Sequence, residues 1–428
     1  MKVVVLGAGV IGVTTAWYLA KQGHRVTVID REPASGLVTS FANGGQISVS
    51  QAQPWANPGA PAKIIKWLGR EDAPLKFRLR ADSRQWSWAL RFLIECLPGR
   101  TKKNTLDILR LGIYSREKLQ SLRGETGIQY DEVTRGILQI HTDEKEFSAA
   151  CKRIHNLTEH GLQISICDYS RICEIEPAFK GSKLLPIVGA TYAADDESGD
   201  AHVFTQRLSA LAKEKFGVEF LYRSEIAGFV EANSGITGVR IKEASGNGTV
   251  EGDAFVVALG CHSPFITKLF GVDLPVFPVK GYSLTVPVTD PSGVPTVCIT
   301  DESGKIAMSR LGDKLRMAGT AELNGFDTSI NLERCDAIAS RVKSMFPNAG
   351  LDYSRAIRWA GLRPTTPSNV PYIGRTAHKN VYLNTGHGTL GWTLACGSGS
   401  AVADLVSGKD PLVNFPFSGS DLSYIPAK

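Results

Sequence analysis

Gly7-Ala8-Gly9-Val10-Ile11-Gly12 follows the apolar run Val3 to Leu6 and precedes a helical pattern, and Asp30 stands eighteen residues beyond the third glycine. That spacing is what a bound dinucleotide needs. The first glycine permits a tight turn, the second lets a pyrophosphate approach the backbone, and the third lets the helix pack on the strand, with the helix N-terminus facing the phosphates. Asp30 ends the second strand, where a carboxylate accepts hydrogen bonds from ribose hydroxyls and repels a 2′-phosphate. The motif therefore disfavours NADP and, by itself, leaves FAD and NAD open. A second GxGxxG, Gly386 to Gly391, also lies between a strand and a helix, but only 37 residues follow it. No second strand ending in an acid is evident there. Its geometry suits a helix N-terminus aimed at a ring on which negative charge develops, or close helix packing.

The elements that must position these turns are legible in outline. Val3–Leu6, Val13–Lys21 and Val26–Asp30 read as one βαβ unit. Ser40-Phe41-Ala42-Asn43-Gly44-Gly45-Gln46 is too irregular for a long helix and reads as a loop over a ligand. From about 80 to 190 the pattern is helical, including Leu106 to Leu122, with short β-pieces at 136–141 and 190–193. A helix over 201–215 precedes alternating runs at 218–222, 226–230, 237–241 and 254–259, a meander feeding back into the nucleotide unit. More β-structure follows over 275–325, then a strand at 381–385 and a helix from about Trp392 to Val406.

Length and composition bound the answer. A chain of 428 residues with 43% hydrophobic and 21% charged residues is a globular protein of two or three compact units, without an apolar run long enough to span a membrane. The N-terminal apolar run leads into glycines rather than a cleavage site, which points to the cytoplasm. The eight cysteines form no CxxC pair and read as core thiols; Cys151, His155 and His160 lack the second cysteine pair of a metal site, so no metal is expected. The net charge of +6 does not imply nucleic acid. It is concentrated between Trp55 and Lys103, where eleven Lys/Arg face four acids and where Trp55, Trp67, Trp86 and Trp88 also lie. This stretch reads either as a peripheral contact with an anionic membrane surface or as a solvated face with tryptophans in an interdomain core.

Taken together, GAGVIG at residues 7–12, Thr39 to Gln46, Val256 to Gly260, the run from Gly361-Leu362-Arg363-Pro364 to Pro371-Tyr372-Ile373-Gly374, and Gly386 to Gly399 resemble a known family. It is the FAD-dependent D-amino-acid oxidase and glycine oxidase superfamily, nearest its bacterial D-amino acid dehydrogenase small-subunit branch. The resemblance spans essentially the whole chain. It implies an α/β plus α+β fold: a Rossmann-like FAD-binding domain (1–79, 191–274, 361–428) and a discontinuous mixed-sheet substrate domain (80–190, 275–360).

The resemblance also implies roles. Val5, Gly7, Gly9, Val10, Ile11 and Gly12 would form the pyrophosphate turn, with Asp30 and Arg31 at the ribose. Ser40, Asn43, Gly44, Gly45 and Gln46 would line the pyrophosphate and flavin, Ile226 would meet adenine, and Ala258, Leu259 and Gly260 would close the second nucleotide contact. Gly361, Gly388, Thr389, Leu390, Gly391, Trp392 and Thr393 would border the flavin, and Arg363 would hold a substrate carboxylate. Arginine is the side chain with the planar, permanently charged, bidentate geometry for that task; the bland reading is a surface arginine in a turn. Tyr282 is a candidate pocket wall or second carboxylate contact, or a buried core tyrosine. His387 is a candidate acid/base or a histidine fixed beside the flavin.

The implied chemistry is oxidative deamination of a free D-amino acid by hydride transfer from Cα to flavin N5, giving a 2-oxo acid and ammonia. Electrons would pass to a quinone or other respiratory acceptor, with the cytoplasmic face of the inner membrane as a second location. Within the enzyme class the alternatives are an oxygen-using amine oxidase, or selectivity for glycine, sarcosine, D-proline or hydroxyproline. Outside it stand an NAD-dependent dehydrogenase and a non-catalytic flavin-binding protein. The sequence leaves side-chain preference and oligomeric state open.

Overall fold

The apolar N-terminal run forms the strand Lys2–Leu6, and its alternation decides the layering of the first unit. Val3 and Val5 join a core shared with helices, whereas Val4 and Leu6 join a core on the opposite face, as a period of two requires. The computed structural model describes residues 1–67, 75–78, 80–180, 186–232 and 235–418, without the side chains of 67, 155 and 156.

Among the described residues six strands make the first sheet, in the order Tyr372–Arg375, Val381–Thr385, Ala254–Val257, Lys2–Leu6, Arg25–Ile29, Glu219–Leu221. All neighbours are parallel except the first pair. Helices Val10–Lys21, Pro98–Thr126, Ala201–Phe216 and Gly391–Val406 cover one face. An antiparallel meander of Glu225–Ala232, Gly235–Glu243 and Gly246–Glu251 covers the other, laying Phe229, Val239 and Ile241 against Val4, Leu6 and Phe255.

Ten strands make a second, mixed sheet among the described residues. Its main path runs Gly350–Leu351, Phe277–Asp290, Lys314–Leu323, Ile306–Leu311, Cys298–Asp301, Ile137–His141, Gly189–Ala193, Ile164–Cys167; Ile357–Thr365 adds to Phe277–Asp290 and Leu75–Phe77 to Lys314–Leu323. Trp359, Ser283, Ala318, Ala307, Thr300, Gln139 and Thr191 pair in one row across it. Paired residues share a face, so this row is a strip of floor with small or polar side chains at its centre. The opposite face is apolar and packs on the helix Leu332–Met345 through Leu284, Met308, Met317, Ile338 and Val342.

The domain boundaries read from the sequence need three corrections. Leu75–Phe77, expected in the nucleotide unit, pairs in the second sheet. Ile357–Thr365 crosses the 360/361 boundary because it pairs along Phe277–Thr285. Pro98–Thr126, expected in the substrate unit, buries Leu111, Tyr114, Leu119 and Leu122 in the nucleotide core. It can lie close to Gly391–Val406 because Gly397 is bare: a Cβ there would stand 2.7 Å from Ser115 Cβ.

Candidate active site

The two glycine turns and the floor strip open on one cavity of about 950 Å3, within the ~300–1,000 Å3 range of ligand pockets. The three glycines of the first turn answer to different causes. A Cβ on Gly7, where φ is +108°, would lie 2.6 Å from the Ala258 carbonyl oxygen, and one on Gly12 would lie 1.8 Å from that of Gly7. The fold alone requires glycine at both. A Cβ on Gly9 would meet only Ser40 Oγ, at an ordinary 3.6 Å. Its bareness serves space in the cavity rather than packing. Asp30 accepts from Ala8 N at 2.6 Å through one oxygen and from Glu32 N at 2.8 Å through the other, which leaves lone pairs for two hydroxyls. Burial raises its pKa above the ordinary carboxylate value.

At the other turn, Gly386 and Gly388 adopt φ of +82° and +55° and lead Val381–Thr385 into Gly391–Val406, a helix with no acid in its first turn and no side-chain cap. His387 is buried; its Nε2 has no partner among the described residues, and burial pushes its pKa down to about 3. Asn384 Oδ1 is likewise unpartnered. An uncapped helix N-terminus and orphaned buried polar atoms at one cavity end fit a polar heterocycle such as the isoalloxazine of FAD, and the turn at Gly7–Gly12 with Asp30 fits its pyrophosphate and ribose.

Arg363 is placed by bare backbone. Gly281 and Gly361 pair across neighbouring strands. A Cβ on Gly361 would lie 1.9 Å from the Trp359 ring, and one on Gly281 would lie 2.3 Å from Arg363 Nη1. The indole and the guanidinium therefore rest on a glycine pair in the sheet. Arg363 Nη1 donates to the Thr320 carbonyl at 3.2 Å. That carbonyl is aimed by a β-bulge: Lys280 pairs with Glu322 but Tyr282 with Gly319, and Thr320 between them takes φ of +58°. Among the described residues Arg363 has no acidic partner, and burial pushes its pKa down to about 10, so it stays charged at neutral pH. A covered guanidinium with free donors is a receptor for a carboxylate.

The family model described as FAD dependent oxidoreductase (DAO) matches residues 2–405. The chain belongs to this DAO family. A D-amino acid dehydrogenase of Dechloromonas aromatica is 50% identical over 418 residues, spanning 97% of this chain and 99% of that one. One from Paramagnetospirillum magneticum is 49% identical over 422 residues, 98% of each. Among solved structures, glycine oxidase from Bacillus cereus superposes with a TM-score of 0.71 at 22% identity over 95% of both chains. L-amino acid deaminase from Proteus myxofaciens gives 0.73 at 18% identity, covering 96% of this chain and 91% of that one. These structures share the fold, and the cofactor of the DAO family is FAD.

Most residues expected of a DAO-family site border the cavity: Gly7, Gly9, Val10, Ile11, Asp30, Arg31, Ser40, Asn43 to Gln46, Ile226, Ala258 to Gly260, Gly361, Arg363 and Gly388 to Trp392. Three stand behind it. Val5 is a core side chain facing the helices, Gly12 serves helix packing, and Thr393 accepts from Ser48 N at 3.0 Å, holding the loop that forms the wall. The carboxylate role of Tyr282 is corrected. Tyr282 pairs with Ala360 and so faces away from Arg363, and its hydroxyl donates to Glu322 at 2.8 Å beside Lys280. His387 borders the cavity with its Nε2 unpartnered among the described residues, and burial keeps the imidazole neutral.

Sequence reasoning missed Trp359, Thr320 and the row through Ala318, Ala307, Thr300 and Gln139. Strand alternation from Arg363 gives Trp359 and Gly361 a readable signal; the others depend on register between distant strands. Of the basic, tryptophan-rich stretch, 68–74, 79 and the side chain of Trp67 lie outside the described residues. Trp88 is buried and donates to the Thr365 carbonyl, Trp55 is half-buried, and Trp86 is exposed. The core reading thus holds for Trp88. Among the described residues no three His, Cys, Asp or Glu side chains gather as metal ligands, and the His155 side chain lies outside them.

Proposed function

We propose that the chain is an FAD-dependent D-amino acid dehydrogenase that deaminates free D-amino acids to 2-oxo acids and ammonia and delivers the electrons to a quinone-type acceptor. The observation that carries the substrate class is Arg363, a half-buried cation laid on Gly281, without an acidic partner among the described residues, at the wall of the cavity that suits FAD. The D configuration is supported by the dehydrogenases that are half identical over nearly the whole chain. FAD, when bound, supplies the two-electron acceptor for the hydride from Cα.

The residues of this chain then have two tasks. Arg363 fixes the carboxylate, which sets where Cα stands, and the Thr320 carbonyl fixes Arg363. The floor beside them, Ala318, Ala307 and Thr300, offers neither a carboxylate nor an imidazole, which suits chemistry that needs no base at Cα and a substrate amine already neutral. A quinone-type acceptor is supported by the aromatic arm of the cavity, lined by Trp55, Phe77, Trp88 and Phe92. That arm leads from Val279, paired with Arg363, whereas Gln139 lies four strands away at about 19 Å.

The test is anaerobic mixing of the FAD-loaded protein with enantiomeric pairs of amino acids, including alanine and proline, and with glycine and sarcosine. Bleaching by D-amino acids is expected. Bleaching by L-enantiomers alone, or by no amine, would defeat the reading; rapid peroxide formation in air would replace the quinone by oxygen.

A further inference from the structure

Thr320 is held in a conformation that its side chain disfavours. It is β-branched at φ of +58°, its buried Oγ1 has no hydrogen-bond partner among the described residues, and its carbonyl accepts from Arg363 Nη1 at 3.2 Å. Without restraint such a residue relaxes to negative φ and its carbonyl turns away. The bulge that imposes the conformation leaves Thr320 and Ala321 opposite Gly281 alone, between the pairs Lys280–Glu322 and Tyr282–Gly319.

Directly beyond the bulge, on the face turned from the cavity, lies a buried ionic cluster. That face is apolar at Leu284, Met308 and Met317. It changes character at Lys280 and Glu322, whose side chains are 2% and 4% exposed and whose charged atoms stand 3.3 Å apart. The Tyr282 hydroxyl donates to the same Glu322 oxygen at 2.8 Å, reaching diagonally across the extra residue. Arg78 Nε, just past the strand Leu75–Phe77, donates to the other oxygen at 2.9 Å. Lys280 Nζ is completed by Asp327 at 2.9 Å and the Ser329 carbonyl at 3.2 Å. One carboxylate thus ties Phe277–Asp290, Lys314–Leu323 and the end of Leu75–Phe77 together at a single point.

Packing alone does not call for such a cluster, because apolar side chains of similar volume are often as stable in its place. The best-attested use of a buried ion pair is to fix registry. Registry is what a bulge puts at risk: a slip of one residue removes the bulge and turns the side chains beyond it to the opposite face. The Thr320 carbonyl would then leave Arg363, and Glu322 would turn to the face where Ala321 and Leu323 now border the cavity.

We propose that Glu322 is a positioning residue for carboxylate recognition, its ionic clamp with Lys280 and Arg78 holding the bulge that aims the Thr320 carbonyl at Arg363. This role rests on the reading of Arg363 as the receptor for the substrate carboxylate. Loss of the Tyr282 hydroxyl alone leaves both ion pairs, and with them the bulge, in place.

The experiment compares the FAD-loaded wild type with Glu322→Gln and with the triple variant Lys280→Met/Tyr282→Phe/Glu322→Leu, which exchanges the buried cluster for apolar side chains and is expected to melt near the wild type. Propionate, a carboxylate without an amine, is titrated anaerobically against the flavin spectrum, beside FAD titration, thermal melts and the KM for D-alanine. Both variants should bind propionate about tenfold more weakly and raise KM by the same factor, because the guanidinium loses its fixed direction, while FAD affinity stays at the wild-type value. In the triple variant this loss comes without a loss of stability, which a merely structural role would not produce. Wild-type propionate affinity and KM in the triple variant overturn the proposal, and so does FAD affinity that falls in step with propionate affinity. If propionate leaves the wild-type flavin spectrum unmoved and no D-amino acid bleaches it, the Arg363 reading falls and takes the carboxylate role of Glu322 with it. Amide exchange over residues 314–323 then separates the two failures: faster exchange in Glu322→Gln still marks Glu322 as the holder of the bulge, and unchanged exchange removes that as well.

Discussion

Arg363→Met separates a binding arginine from a structural one, because the two readings predict opposite changes in stability. Burial lowers the guanidinium from 12.5 to about 10, which at ~1.4 kcal/mol per pH unit corresponds to about 3 kcal/mol against the charged form in the folded, substrate-free protein. Methionine fills comparable space without that cost, so the FAD-loaded variant is expected to melt higher than the wild type. The gap should be flat between pH 5 and 9, since the guanidinium is protonated in both folded and unfolded chains there; it shrinks only as the pH climbs through about 10 toward 12.5. A bound substrate reverses the balance. Its carboxylate would lose a charge-assisted, bidentate partner, and a loss of about 3 to 4 kcal/mol lowers kcat/KM by about 10² to 10³. The assays are thermal melts, flavin absorbance on titration with FAD, and anaerobic bleaching by D-alanine. A variant that melts lower and loses FAD in parallel with activity would refute the assignment, and so would one whose kcat/KM changes less than about threefold.

Gly281→Ala puts a methyl 2.3 Å from Arg363 Nη1, so it should displace the guanidinium and raise KM about tenfold, with FAD content and melting near wild type. Gly9→Ala should fold but bind FAD weakly, whereas Gly12→Ala, 1.8 Å from the Gly7 carbonyl oxygen, should fail to fold; circular dichroism beside a flavin titration distinguishes them. Tyr282→Phe removes one of three donors to Glu322, the others being Arg78 and Lys280; it should lose about 1 to 2 kcal/mol in denaturant unfolding and leave KM unchanged. His387 titrates near 3 when folded and near 6.5 when unfolded. The unfolded chain therefore binds the extra proton between those values, and this stability contribution is full above pH 6.5 and falls on acidification. His387→Gln should lower the loss of stability between pH 7 and pH 5 by about 2 kcal/mol, as read from urea midpoints at the two pH values.

The cofactor half of the site was legible because its constraints are local. Gly7, Gly9 and Gly12 sit within six residues, flanked by a strand and a helix whose periods are plain, and Val381–Thr385 was delimited to the residue. The substrate half was legible only at Arg363, through a resemblance. Nothing near Thr320 in sequence announces a bulge; it exists because Phe277–Asp290 and Lys314–Leu323 pair with an extra residue between Glu322 and Gly319. Tyr282 misled for the same reason, as strand parity from Lys280-Gly281-Tyr282 shows which residues share a face but not which face meets the cofactor. The helix Pro98–Thr126 was assigned to the wrong unit because periodicity reveals an apolar stripe without naming its partner.

Arg363 and Thr320 each occupy a state that a chain ordinarily avoids: a covered cation without a counter-charge among the described residues, and a β-branched residue at positive φ. Both states persist because the strands around them are paired almost without interruption, with Ile357–Thr365 in register against Phe277 to Thr285 and Ile306–Leu311 against Lys314 to Gly319. The sheet thus over-determines the two residues it strains. Such a receptor is formed before its ligand arrives, so a carboxylate need not reorganise the site in order to be held. The same rigidity extends to the floor strip, where Ala318 and Ala307 stand beneath Gly44 and Thr300 accepts from Gln46. Enlarging Ala307 should therefore press on Gly44 and weaken FAD binding, as read by flavin titration, while leaving Arg363, and therefore carboxylate recognition, in place.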